Sequence, residues 1–476
     1  MIENKKGIFI STVSQIIGRV ATLAFALISI KLITNYLGTT GTGEFNTITT
    51  YINFFIVIAD LGLFSVTVRE IAKNPEKEKK IISNVLFLRI ITALIACVLA
   101  GAIVFSTNYG NNIKVGVLFA LGFLFFNLLS SVYDIVLQYR LHMQYSALAE
   151  FLSKIVSLIA LFIIIRLHGD FLWIVSTTSI SGLVIYIFKW YFAKQFISFS
   201  PKYNKEISNW IMRAAIPLGA VFIVNNLFFK VDTLVLFAIK GASAVGIYSV
   251  SYKVLEVTIF VGSYFASSLK PMFSKHIDGD QQALRSVLSK AIVIMIAISM
   301  PIAIVSIVFA KEIIVFLSNN DFVSGSNALI LLALTLPIIY LDALLGEVLV
   351  AKDARKLLIN IAIIVLLFNL GLNILLIPIF SFMGAAFVTL ISEILLLGIN
   401  IHYTRKIVGY NFNLPLIFKI LLVSITTLLI TMFAKSLPIN FLILIVFSFT
   451  LYAALIYFFK ITTLDRIKGL ISKGES

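Results

Sequence analysis

The sequence predicts an all-α polytopic membrane protein of about fourteen transmembrane helices: two pseudo-symmetric six-helix bundles followed by two more helices. Three observations predict it. Of the 476 residues 60% are hydrophobic and 13% charged, with a mean hydropathy of +1.04, against an apolar share of about 45–50% in water-soluble domains. Apolar windows of about 20 residues, enough to cross a ~30 Å hydrocarbon core as helix, recur from end to end. A glycine turn after the first window also returns after the seventh.

In chain order, segment 1 (12–35) follows Lys5 and Lys6 like a secretion signal. It is too long, carries Arg19 and lacks a small-residue cleavage site, so it reads as a retained helix. Segment 2 (45–68) is entered through 37-LGTTGTGEF-45 and closed by 69-REIAK-73. Segment 3 (85–105) follows Lys77, Lys79 and Lys80 and holds the lone Cys97, which excludes an intramolecular disulfide and a cysteine-based metal site. Segments 4 (114–137), 5 (146–165) and 6 (171–193) complete a first bundle over residues 1–200. Segments 7 (214–239), 8 (247–269), 9 (288–310), 10 (326–350), 11 (357–378) and 12 (384–403) form a second over 201–406. Segments 13 (416–434) and 14 (439–459) stand in the remainder, 407–476.

The division rests on the repeat. Gly38 and Gly43 match Gly241 and Gly246 of 240-KGASAVGIY-248 at a single offset of 203, and 69-REIAK-73 aligns with 272-MFSKH-276 at the same offset. Six is even, so both bundles enter the membrane in the same sense, related by an axis along its normal.

Orientation follows from the 38 Lys and Arg: twenty-five fall in connectors or ends on the side of the N-terminus, and four (Arg166, Lys240, Lys311, Lys435) on the opposite side. Positive-inside sorting then places both termini in the cytoplasm. The net charge of +16 is thereby topological, and nucleic acid is not an expected partner. The connectors are short, the longest lying near 194–213 and 270–287 on the cytoplasmic side. Walker A, HExxH and GxSxG patterns are absent from the sequence, and His142, His168, His276 and His402 sit at scattered spacings in or next to loops. No catalytic residue, metal or cofactor is expected.

Charges inside the segments are the candidate functional residues, because each costs about 2.5–3.5 kcal/mol on insertion scales unless it is paired or faces water. They are Arg19, Asp60, Arg89, Asp134, Glu150 and Lys154 in the first bundle, and Lys230, Asp232, Lys253, Glu256, Asp342, Glu347 and Glu393 in the second. Glu150 with Lys154, and Lys253 with Glu256, are spaced to pair on one helix face. Lys230 and Asp232, within 228-FFKVDTLVLF-237, point about 200° apart on a helix and cannot neutralise each other. Lys253 on the next segment is instead the candidate partner of Asp232.

The stretches 31-KLITNYLGTTGTGEF-45 and 59-ADLGLFSVTVREIAK-73 resemble the N-terminal signature of polysaccharide-biosynthesis flippases. These are O-antigen and capsule repeat-unit translocases of the multidrug/oligosaccharidyl-lipid/polysaccharide exporter superfamily. The resemblance continues through 230-KVDTLVLFAIKGASAVGIYSVSYKVLE-256, 344-LLGEVLVAKDARK-356 and 369-NLGLNILLIPIFSFMGAAFVTLISE-393, where Asn373, Pro378, Gly384 and Glu393 keep the family spacing. It implies two bundles facing a basic central cavity, and transport of a polyprenyl-pyrophosphate-linked oligosaccharide by alternating access in a bacterial or archaeal plasma membrane, without covalent chemistry. Arg19, Lys230 and Lys253 become the candidate cations for the pyrophosphate. Asp60, Asp232, Glu256 and Glu393 become coupling or structural carboxylates, with Na⁺, H⁺ or the membrane potential as the drive. Membrane lipids and polysaccharide assembly machinery are the further candidate partners. The chain departs from the family at segment 7, where Lys230 precedes and Thr233 follows Asp232 in place of a nearby Arg. A drug or cation exporter of the same superfamily is the alternative, and predicts an acidic cavity, usually in twelve helices. A membrane glycosyl transferase or polymerase is another, and needs a larger outer loop.

Overall fold

The computed structural model describes the backbone of residues 2–277 and 279–461, and side chains from Thr22 onward except at positions 218, 220–222, 225, 229 and 355. The described chain is built of helices. They are α1 (Ile2–Asp60), α2 (Leu63–Lys73), α3 (Glu78–Ser106), α4 (Asn111–Tyr139), α5 (Met143–Arg166), α6 (Phe171–Ala193), α7 (Lys205–Lys240) and α8 (Ala242–His276). There follow α9 (Gln281–Val308), α10 (Ala310–Leu317), α11 (Gly325–Ala351), α12 (Arg355–Val408), α13 (Leu414–Lys435) and α14 (Phe441–Phe458).

Eleven helical stretches among the described residues are long and apolar enough to cross a membrane. Two contain a sharp break, at Gly38 and at Ser381, and each supplies two passes. With these divided and α7 added, the fourteen apolar segments of the sequence are accounted for. Gly38 (φ 63°, ψ −169°) and its repeat mate Gly241 (φ 78°, ψ −173°) adopt the same conformation. That region of backbone space is accessible essentially to glycine alone. The repeat seen in sequence is therefore one backbone event made twice.

The chain forms two compact units, Met1–Gly246 and Ile247–Ser476. In the first, α4 packs along α6, α1 against α4 and α5, and α7 against α1, α2 and α3. Small residues let these helices approach closely, as membrane packing requires. Ala93, Ala96 and Ala100 of α3 meet Ile48, Ile52 and Phe55 of α1, with Val117, Ala120 and Leu124 of α4 completing the cluster. The Tyr51 hydroxyl crosses this core to donate to the Ala100 carbonyl at 2.8 Å. In the second unit α9 packs against α11 and α13, and α12 lies along α11. The added pair α13–α14 is joined by a Thr431–Ser448 hydrogen bond of 3.1 Å. It is tied to the rest by Lys435, whose ammonium donates to the Val308 carbonyl at 2.6 Å and to Glu312 at 2.9 Å.

Two boundaries differ from the sequence reading. Segment 2 is not one helix to residue 68: α1 ends at Asp60, Leu61 (φ 48°) and Gly62 (φ 73°) turn left-handed, and α2 begins at Leu63. The apolar run continues through this elbow, so hydropathy alone could not reveal it. Segment 7 begins earlier, at Lys205, because Asn204 caps the helix by accepting from the Ile207 N–H at 3.0 Å. Residues 205–213 are thus a helical extension and not a loop.

Candidate functional site

At the elbow in the first unit, Arg89 has no exposed side-chain surface. Its guanidinium donates to the carbonyls of Ala59 and Asp60, each at 3.2 Å, and pairs with the Asp60 carboxylate. The other Asp60 oxygen accepts from the Gly62 N–H at 3.2 Å. Arg89 thereby takes up carbonyls that the broken helix leaves without intrahelical donors. On the α7 side, a Cβ added to Gly219 would lie 2.7 Å from Leu61 Cα, so only glycine lets α7 pass this elbow. Asp60 is held in a structural contact by Arg89. The side chain of the sequence candidate Arg19 lies outside those described.

A second cluster joins α4, α5 and α6. Lys189, 4% exposed, reaches Asp134 at 2.7 Å and Glu150 at 3.4 Å, and the Ser146 hydroxyl donates to Asp134 at 2.6 Å. The sequence reading paired Glu150 with Lys154; the structure brings Lys189 to Glu150 as well, from a different helix. Lys189 was missed because it lies within a turn of the end of α6, where a lysine reads as an interfacial anchor.

On α7, Lys230 is half-buried and Asp232 is 3% exposed. Asp232 accepts from the Thr233 N–H at 2.7 Å and from its hydroxyl at 3.3 Å. On α8, Lys253 and Glu256 pair at 2.6 Å, one helical turn apart, each side chain about one-third exposed.

A buried polar group of the second unit lies between α11 and α12. Asp342 (7% exposed) and Glu393 (2%) face each other, and the Asn400 amide donates to Asp342 at 3.1 Å. Nearby on α12, Asn373 donates to Asn369 at 2.8 Å and Asn369 to Ser392 at 3.0 Å, linking the two halves of that broken helix. Asp342 Oδ2, Asn400 Oδ1 and Asn373 Oδ1 are buried without a hydrogen-bond donor. Two carboxyls in contact within hydrocarbon cannot both stay ionised uncompensated. Such a cluster can hold a proton or a small cation. Glu393 was a sequence candidate; its partner Asp342 was noted only as a charge within a segment, and Asn400 was not noted.

A family described as polysaccharide biosynthesis protein matches residues 5–277, and one described as MatE matches 217–375. The chain is 24% identical to an uncharacterized membrane protein of Methanocaldococcus jannaschii, over 90% of this chain and 91% of that one. It is 28% identical to a "probable low-salt glycan biosynthesis flippase" of Haloferax volcanii, over 36% of each chain. Among solved structures, the lipid II flippase MurJ superposes with a TM-score of 0.79 at 18% identity, over 95% of this chain and 98% of that one, and so shares its fold.

Proposed function

The chain belongs to the polysaccharide biosynthesis protein family, and from that membership we propose that it carries a polyprenyl-pyrophosphate-linked oligosaccharide from the inner to the outer leaflet of a prokaryotic plasma membrane. The family match over more than half of the chain carries the reading, and the glycan flippase among its relatives supports it. Transport is by alternating access, with both termini cytoplasmic.

The chemistry of the cargo assigns the roles. A pyrophosphate crossing a low-dielectric path needs fixed cations, whose attraction there greatly exceeds its value in water. Lys230 serves as one, a point charge without the bidentate geometry of arginine, with Arg19 and Lys253 as further candidates. Asp342 and Glu393 supply the coupling site, since two buried carboxyls facing each other favour a bound proton or cation. Asp60 is assigned to the elbow instead, because Arg89 already neutralises it.

Purified protein in vesicles carrying a polyprenyl-pyrophosphate oligosaccharide tests the proposal. A glycan-specific enzyme confined to one side reads how fast the lipid from the other leaflet becomes accessible. Protein-dependent acceleration is expected, and a rate equal to protein-free vesicles rejects the substrate.

A further inference from the structure

We propose that the start of α3 and the α6–α7 connector together bind one anionic phospholipid of the cytoplasmic leaflet, its phosphate held by Lys80 and Lys202 and an acyl chain laid along α3. Such a site requires only the membrane placement of the helices, whatever the cargo. The connector is pinned and not loose. Asn84 of α3, fully buried, holds it from beneath: its amide donates to the carbonyls of Lys202 at 3.4 Å and Asn204 at 3.1 Å, and its oxygen accepts from the Ser208 hydroxyl at 2.9 Å. The Lys202 N–H donates to the Ser83 carbonyl at 3.1 Å. The Tyr203 ring packs on Phe87, with centroids 5.3 Å apart. Residues 202–204 are thereby laid on the face of α3 that carries Lys80, Asn84 and Phe87 at helical spacing.

That face changes character along the helix. Beyond Phe87 it continues as Ile91, Leu94, Val98 and Phe105, all exposed and none polar, a row suited to acyl chains. Tyr203, 59% exposed, stands where the apolar segment begins, the position tyrosine takes at a membrane interface. Lys80 lies two turns outward of Phe87, about 10 Å along the helix axis, at the depth of the headgroups. One strip of surface thus meets hydrocarbon, interface and phosphate in order.

Its charge is left uncompensated by the protein. Arg69 and Lys73 pair with Glu70, and Arg140 with Glu78. Lys77, Lys79, Lys80, Lys202 and Lys205 are exposed and make no ion pair among the described residues, with only Glu76 and Glu206 as exposed carboxylates beside them. Folding the connector onto α3 brings these like charges together, which is unfavourable until an anion joins them. Lysines beside a leaflet that carries anionic lipid supply that attraction one by one. Here they come from two distant parts of the chain, gathered by a buried asparagine, and so form a site and not a diffuse positive surface.

The test titrates the full chain, purified in detergent and stripped of lipid, with phosphatidylglycerol, and reads the tightest-bound lipid by native mass spectrometry. Lys80→Gln with Lys202→Gln should weaken binding by about fivefold for each lysine removed. Lys275→Gln with Lys356→Gln, which takes the same charge from exposed lysines of the second unit, should leave it unchanged. Equal weakening by the two pairs overturns the site, and so does equally tight binding of phosphatidylcholine. Hydrogen exchange on the unaltered protein gives a second readout, independent of how the variants fold. Phosphatidylglycerol, and not phosphatidylcholine, should slow exchange in peptides covering 79–87 and 197–205; unchanged exchange there rejects the site. If polyprenyl pyrophosphate produces both effects and phosphatidylglycerol neither, the strip receives the cargo and the phospholipid is rejected.

Discussion

Arg89 and Asp60 were visible in the sequence as charges inside apolar segments, but their pairing was not, since they meet from different helices across a break that hydropathy does not register. Removing the cation from this pair should cost about 3–5 kcal/mol, as for other buried pairs broken from one side. Arg89→Ala should therefore lower the midpoint of thermal unfolding in detergent markedly, and Arg89→Ala with Asp60→Asn should recover part of the loss. Lys230 is expected to behave differently. Lys230→Ala should keep the protein level and detergent stability of the parent while abolishing glycan export, with partial rescue by Lys230→Arg because charge is what the pyrophosphate requires. Lys240→Ala, at the exposed end of α7, is the control; equal export by the two alanine variants removes Lys230 from the path. For the coupling role, Glu393→Gln and Asp342→Asn should each uncouple transport from an imposed proton or sodium gradient without loss of folding. Unchanged gradient dependence would make the cluster structural.

At the scale of elements, fourteen apolar segments were legible because a membrane pass has a length and composition that little else imitates. The glycine turns were legible too, as a repeat whose spacing held at four positions, and Gly38 and Gly241 turn out to share one glycine-only conformation. Replacing either by Ala forces a side chain into that region at a cost of about 1–3 kcal/mol. Both variants should unfold at lower temperature in detergent, by similar amounts if the turns are equivalent. The break at Ser381 was legible as the connector between segments 11 and 12, whereas the break at Leu61 was not. Leu61 is a non-glycine residue with positive φ, a conformation imposed by neighbours and not by local preference. Arg89 and the approach of Gly219 supply that constraint at Leu61. The start of α7 was missed for a related reason: hydropathy reports where a helix enters hydrocarbon, whereas Asn204 reports where it begins.

For the whole molecule, the asymmetry of Lys and Arg predicts that a reporter active only in the cytoplasm will signal when fused within 200–206 or after Lys473, and stay silent within 106–112. Signal from 106–112 would invert the orientation. The cargo is the central claim, and deletion of the gene followed by mass spectrometry of the lipid-linked intermediates tests it most directly. A polyprenyl-pyrophosphate oligosaccharide should accumulate in the cytoplasmic leaflet while the surface glycan is lost, and the intact gene should reverse both. An unchanged lipid-linked pool, with the deletion altering instead the cell's tolerance of drugs or cations, would contradict the account and favour a small-molecule exporter.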